Sequence, residues 1–172
     1  MPSKLSLAGL QNPIRRSLSV FLTGILFGAF IHTALGQGGG RIAVNHVAVN
    51  VENLDDAVKF FTQTMGFREA FTSRDDKGQP ILVYVQANRD TFIELQPATA
   101  QNPPGLNHIG LEVEDLRGYI ARLKEHGVKT EEPRVGRSKA ILSNTTGPGG
   151  ARIELLEFPP DSVQRKAIQS WR

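Results

Sequence analysis

The sequence predicts an α+β fold made of two βαβββ modules, residues 41–98 and 105–158, and three observations carry that prediction. The stretch "VNHVAVNVENLDDAV" from Val44 returns as "LNHIGLEVEDLRGYI" from Leu106, an offset of 62. Each copy passes from alternating apolar residues to the i, i+3, i+4, i+7 spacing of an amphipathic helix. Each half then closes on a matching strand, "FIEL" at 92–95 and "RIEL" at 152–155. A duplicated module explains all three.

The elements follow in order. In the first copy Val47, Val49 and Val51 alternate with His46, Ala48 and Asn50, a period of two that reads as a strand with one packed face. Asn53 is a candidate N-cap for a helix whose apolar stripe is Leu54, Ala57, Val58 and Phe61, and Gly66 is placed to close it. Three strands are then predicted, "FREAFTS", "ILVYVQA" and "TFIELQP", separated by the turns "RDDKGQP" and "NRD". The second copy repeats the plan. Ile109, Leu111 and Val113 alternate with His108, Gly110 and Glu112, Asp115 caps a helix with Leu116, Tyr119, Ile120 and Leu123 inward, and Gly127 ends it. Its strands are predicted over "VKTEEPRV", "KAILSNT" and "ARIELLEF", with a turn at "TGPGG". The offset drifts from 62 at the histidines to 60 at Glu94 and Glu154, so loops absorb two deletions while strands keep register.

Composition narrows the function. The 172 residues and 40% hydrophobic content suffice for one ordinary core. The net charge of +3 belongs to residues 1–36, which hold Lys4, Arg15 and Arg16 and no acid; from Gln37 onward 17 basic residues face 17 acidic ones. A neutral folded part gives no electrostatic case for nucleic acid. The absence of cysteine excludes disulfides, thiolate ligands and a cysteine nucleophile.

Residues 1–36 read as an export signal: Arg15 and Arg16 precede an apolar run from Val20 to Leu35 that closes on Ala34, Leu35 and Gly36. The run is short and interrupted for a bilayer-spanning helix, which needs about 20 apolar residues, so an uncleaved anchor is the alternative. The expectation is an exported, periplasmic or secreted protein that touches a membrane only through this segment. Residues 37–40 form a glycine-rich hinge, and 159–172 a tail that could dock Trp171 through a short helix, with a frayed terminus as the ordinary outcome.

Side-chain parity gives the duplication a purpose. His46 and His108 oppose the apolar set on their strands, and Glu94 and Glu154 do so on theirs. If the apolar faces meet the helices, two sheets curving toward each other would bring all four polar groups into one cup. Two imidazoles and two carboxylates without sulfur suit a divalent metal such as Ni, Zn, Co, Mn or Fe. Tyr84, Gln86 and Ser143 are candidates to line the cup. Glu112 lies four residues beyond His108, about 13 Å at about 3.3 Å per residue, which puts it at the rim in a substrate role or a surface ion pair. His32 falls in the leader, and His126 on a last helical turn suits the helix dipole.

The elements "NHVAVNVENLDDAVKFFTQTMGF", "FIELQ", "LNHIGLEVEDL" and "GPGGARIELLEF" resemble the vicinal oxygen chelate superfamily, which includes glyoxalases, bleomycin-resistance proteins and extradiol dioxygenases. The resemblance implies that the two modules form an eight-stranded incomplete barrel around a metal held by His46, Glu94, His108 and Glu154, and that the protein is a homodimer acting on a small molecule. That ligand set is similar to the one in bacterial glyoxalase I, a lactoylglutathione lyase. Four protein ligands on an octahedral ion leave two positions for neighbouring substrate oxygens, which favours Lewis-acid proton transfer with Glu154 or Glu94 as the base. A ring-cleaving dioxygenase and a metal-free ligand-binding module are the alternatives. Three departures weigh against glutathione: Asn50 stands where glyoxalase I has an arginine, Ala98 where it has an asparagine, and "TGPGG" where a "DPDG" turn is common before the last strand.

Overall fold

The computed structural model describes residues 40–172, so the leader and nearly all of the hinge lie outside the described residues. The chain runs β1 (Ile42–Val51), α1 (Leu54–Lys59), a π-helical turn (Phe60–Thr64), β2 (Arg68–Arg74), β3 (Pro80–Asn88) and β4 (Thr91–Pro97). The second half runs β5 (Gly105–Val113), α2 (Leu116–Glu125), β6 (Arg134–Val135), β7 (Ile141–Thr146), a 3-10 turn (Pro148–Gly150) and β8 (Arg152–Glu157), and α3 (Val163–Gln169) follows.

Both helix starts obey their caps: the Asn53 side chain accepts from Asp56 N and that of Asp115 from Gly118 N. Gly66 and Gly127 each take φ +75°, the left-handed conformation that ends a helix and that a Cβ disfavours. Leu54, Ala57, Val58 and Phe61 pack on Val83, Val85 and Leu95. Leu116, Tyr119, Ile120 and Leu123 pack with Val113 and Leu155. Leu116 is fully buried, a contribution of about 2 kcal/mol for a side chain of that size.

The strands form one sheet in the order β2-β3-β4-β1-β5-β8-β7-β6. Eight strands in one open sheet agree with the expected incomplete barrel, and β1 and β5, paired antiparallel along most of their length, fuse the sheets of the two halves. Within each half the first and last strands pair in parallel, β1 with β4 and β5 with β8, so the halves mirror each other about the β1–β5 seam. Tyr84 and Phe92 from one end of this order share a core cluster with Leu142 and Leu156 from the other. The open sheet must therefore curl to bring its flanks together.

Two expectations change. The predicted strand "VKTEEPRV" shrinks to Arg134–Val135 with an isolated bridge from Thr130 to Thr145, because Pro133 has no N–H to continue the ladder, and the residues before it meet β7 by one backbone bond, Glu131 N to Asn144 O, and otherwise through its side chains. Ser143 Oγ donates to Glu131 O, Asn144 Nδ2 to Glu131 Oε2 and Thr145 Oγ1 to Lys129 O. The tail is not frayed: Ser162 caps α3, and Ala167 and Ile168 join the core cluster that bridges both flanks. Arg68 fixes the end of the helix, its guanidinium donating to Ala167 O and Ser170 O and lying 5.1 Å over the Trp171 ring.

Candidate metal centre

The four central strands β4, β1, β5 and β8 each contribute one side chain to a single buried cluster: Glu94, His46, His108 and Glu154. Register puts them there. Ala48 stands opposite both His108 on β5 and Glu94 on β4, while Gly110 stands opposite His46 on β1 and Glu154 on β8. Small residues at these two equivalent positions leave room for the rings. At Gly110 the room is obligatory, since a Cβ there would lie 2.1 Å from His46 Cε1.

The donor atoms of all four residues lie within 4.8 Å of one another. His46 Nε2 is 3.0 Å from His108 Nε2, 3.3 Å from Glu94 Oε2 and 3.6 Å from Glu154 Oε2. His108 Nε2 is 3.5 Å from Glu154 Oε2 and 4.0 Å from Glu94 Oε2. Donors at about 2.1 Å from one ion stand about 3.0 Å apart when adjacent and about 4.2 Å when opposite, and the five separations that involve a histidine fall in that range. The residues present therefore fit a divalent ion.

Each imidazole is aimed from behind by the residue before it. His46 Nδ1–H donates to Asn45 Oδ1 at 3.2 Å, and His108 Nδ1–H to Asn107 Oδ1 at 2.8 Å. This fixes the tautomer with a bare Nε2, the form a metal ligand needs. Neighbouring side chains on a regular strand point to opposite faces and could not make such a bond. The pairing register shows why these do: it skips from Val44 to His46 on β1 and from His108 to Leu106 on β5, so Asn45 and Asn107 are the extra residues of two equivalent β-bulges.

The two carboxylates are held differently. Glu94 accepts from the Tyr84 hydroxyl on one oxygen and from Gln96 Nε2 on the other. At the positions equivalent to Tyr84 and Gln96 the second half has Asn144 and Leu156. Leu156 has nothing to donate, and Asn144 is occupied by Arg152 Nε and Glu131 Oε2. Electrostatics follow from burial and these contacts. Burial lowers the His46 pKa from 6.5 to about 3, with Glu154 pulling it back up and His108 and Arg152 pushing it down. Burial raises the Glu94 carboxyl in spite of its two donors. Burial acts upward on Glu154 too, but His108 beside it, together with His46 and Arg152, outweighs that and leaves the group below its ordinary value. Tyr84, buried and facing Glu94, is held well above the usual phenol range.

The cluster opens on a cavity of about 360 Å³ lined by Tyr84, Gln164 and three arginines as well as by Glu94, His108 and Glu154. Of the other candidates, Gln86 shares the cup side but is spent on Arg68 and on Arg89 O. Ser143 belongs to the helix-packed side, opposite Leu155, and does not line the cup. Glu112 pairs with Arg165 at 2.9 Å, the ion-pair outcome. His126 is the C-cap of α2, and His32 lies outside the described residues. The sequence reading missed Asn45, Asn107, Gly110 and Gln96. The signal for the first two was the repeated Asn-His dipeptide.

The family model described as Glyoxalase/Bleomycin resistance protein/Dioxygenase superfamily matches residues 45–142. An ethylmalonyl-CoA/methylmalonyl-CoA epimerase of Cereibacter sphaeroides is 30% identical over 118 residues, 60% of this chain and 86% of that protein. Among solved structures, a methylmalonyl-CoA epimerase of Mycobacterium tuberculosis aligns with a TM-score of 0.59 at 23% identity, over 68% of this chain and 88% of that one. A variant methylmalonyl-CoA epimerase of Streptomyces coelicolor aligns at 0.60 and 22% identity, over 73% and 99%. Duplicated βαβββ halves, one buried donor from each central strand, and a family match across more than half the sequence agree: the chain belongs to the glyoxalase/bleomycin resistance protein/dioxygenase superfamily.

Proposed function

We propose that this chain is a divalent-metal-dependent isomerase of the epimerase type, moving a proton at the carbon between two carbonyl groups of a short malonyl-type thioester. The observation that carries the reading is the buried quartet of donors within 4.8 Å of one another, open on one side to a substrate-sized cavity. A divalent ion held by His46, Glu94, His108 and Glu154 would supply Lewis-acid stabilisation of negative charge on the two substrate oxygens. Asn45 and Asn107 hold the imidazoles in the ligating tautomer. Glu94 is tied by Tyr84 and Gln96 and serves as a fixed ligand. Glu154 has His108 beside it but no counterpart of the Tyr84 and Gln96 donors, and it takes the proton from the substrate carbon; a solvent-derived proton delivered to the opposite face completes the inversion.

The expected lactoylglutathione lyase-type activity shares this proton transfer but finds less support in the rest of the site. Asn50, at the place of the glyoxalase arginine, is consumed at both ends: its Oδ1 accepts from Asn107 Nδ2 and its Nδ2 donates to Pro103 O. It is a brace for the His108 bulge and has no free group for glutathione. The epimerase named above offers the nearer chemistry.

The test is α-proton exchange. Metal-loaded full-length protein incubated with a methylmalonyl thioester in D2O should replace the α-proton by deuterium, followed by NMR. Glu154→Gln should slow this about 10²- to 10⁴-fold, the usual worth of a general base. Exchange no faster than in buffer, with stoichiometric metal present, would overturn the assignment.

A further inference from the structure

The two halves match so closely at the donors that their mismatches are informative. At the position of Phe92 in the first half the second half has Arg152, two residues before Glu154 on the same face of β8. Phe92 is fully buried in the core cluster with Tyr84, so the first half presents an apolar wall. The second presents a cation. Arg152 lines the same cavity as Glu94, His108 and Glu154.

Its guanidinium is held in place by neutral groups. Nε donates to Asn144 Oδ1 at 3.2 Å and Nη1 to Asn107 Oδ1 at 3.0 Å. Both carboxamides are fixed at their other ends, Asn144 Nδ2 on Glu131 Oε2 at 2.7 Å and Asn107 Nδ2 on Asn50 Oδ1 at 2.9 Å. Asn107 Oδ1 is also the acceptor that aims His108, so the cation is tied into the support of a candidate ligand. Among the described residues no carboxylate lies within 4.0 Å of Arg152, although Lys124, Lys139 and Arg165 all form ion pairs. Arg134 and Arg137 line the same cavity, and its only acids are Glu94 and Glu154, whose charge a divalent ion would balance.

Glu154 feels the charge of Arg152 and Glu131 shares a second cleft with it, but neither carboxylate touches the guanidinium. A guanidinium oriented before any ligand arrives, with no carboxylate in direct contact, is the usual apparatus for a carboxylate. We propose that Arg152 is a specificity-determining residue that binds a carboxylate group of the substrate beside the donor quartet, so that the cationic half and the apolar half of the cup set the direction in which the substrate enters. This inference rests on the isomerase reading and narrows it to substrates carrying a free carboxylate.

Calorimetric titration of metal-loaded full-length protein separates the two claims. The probes are malonate, whose non-coordinating carboxylate oxygens can meet a guanidinium, and acetohydroxamate, a bidentate chelator without a carboxylate. Arg152→Met should weaken malonate about tenfold or more and leave acetohydroxamate within about twofold, and Arg152→Lys should restore part of the malonate binding. Equal weakening of both probes would show that Arg152 acts only by supporting Asn107 and His108, and no weakening would show that it is idle; either result overturns the proposal. If acetohydroxamate fails to bind the wild-type protein the metal reading falls; malonate binding weakened by Arg152→Met and partly restored by Arg152→Lys would still support the carboxylate role, and malonate binding unchanged by Arg152→Met or not restored by Arg152→Lys would overturn it.

Discussion

Gly110→Ala puts the smallest possible side chain at the centre of the candidate site, and its effect can be worked from the structure. The added Cβ would lie 2.1 Å from His46 Cε1, 2.3 Å from Nδ1 and 2.6 Å from Nε2. Carbon atoms in contact sit about 3.5–4.0 Å apart, so the imidazole has to retreat by roughly 1.5 Å. It has little space to do so, being fully buried with the Tyr84 ring centred 5.4 Å away and the His108 ring 5.1 Å away. Metal–ligand distances tolerate only about 0.2 Å, so His46 would no longer reach an ion held by the other three donors before the overlap is relieved. Two losses are expected. Overpacking should cost the metal-free protein about 1–3 kcal/mol, read by thermal or urea unfolding with chelator present. Metal affinity should fall by at least about 100-fold, the upper end of what a lost supporting residue costs, read by competition against a chromophoric chelator. A Gly110→Ala protein with unchanged unfolding and unchanged affinity would refute the packing argument and the ligand role of His46 together.

Asn107→Ala frees His108 to rotate and to change tautomer, and should lower metal affinity about 10- to 100-fold with little change in helix content, as measured by the same competition and by circular dichroism. The metal-free protein should lose stability as pH falls from about 6.5 toward 3. Unfolded His46 takes up its proton near 6.5 while the folded residue resists until about 3, so the unfolded state binds more protons across that window. The full gap corresponds to about 5 kcal/mol at about 1.4 kcal/mol per unit; the raised Glu94 carboxyl opposes it, and urea midpoints measured along the pH series check the net slope. Arg68→Met should remove the clamp on α3 and leave Gln86 Oε1 and the end of the helix without their donor, lowering Tm by several degrees, with protease cleavage after Lys166 as the local readout.

Most of the fold was legible because its signals are local and doubled. The cap residues Asn53 and Asp115, the stripes behind them and the glycines that end the helices each state their role within a dozen residues, and the second copy repeats the statement. The donor quartet was legible for the same reason, since parity on a strand is a sequence property. What parity cannot show is a bulge. Asn45 and Asn107 read as ordinary alternating residues until the pairing of β1 with β5 reveals one extra residue in each, and that pairing joins residues 55 to 71 positions apart. Gly110 was hidden for a related reason: its value lies in a ring on another strand. The docking of the tail was underestimated because Ala167 and Ile168 find their partners on strands from both halves, which no local pattern encodes.

Symmetry retained and symmetry lost divide the site into two kinds of function. Retained pairs are His46 with His108, Glu94 with Glu154, Asn45 with Asn107 and, as small residues, Ala48 with Gly110; every one of them serves to gather and aim donor atoms. Such a task is indifferent to direction, so a duplicated module can perform it from both sides. The lost pairs are Tyr84 with Asn144, Phe92 with Arg152 and Gln96 with Leu156, and each makes one half differ in charge or hydrogen bonding from the other. A substrate with distinguishable ends needs that difference, as does a reaction in which one carboxylate stays bound while the other accepts a proton. Substituting Asn144→Tyr and Leu156→Gln together would restore the donors that hold Glu94 around Glu154. If the division is right, the double variant keeps its metal and loses more proton exchange than Asn144→Ala, which frees Arg152 to the same extent; exchange no lower than in Asn144→Ala would show that the freedom of Glu154 is irrelevant.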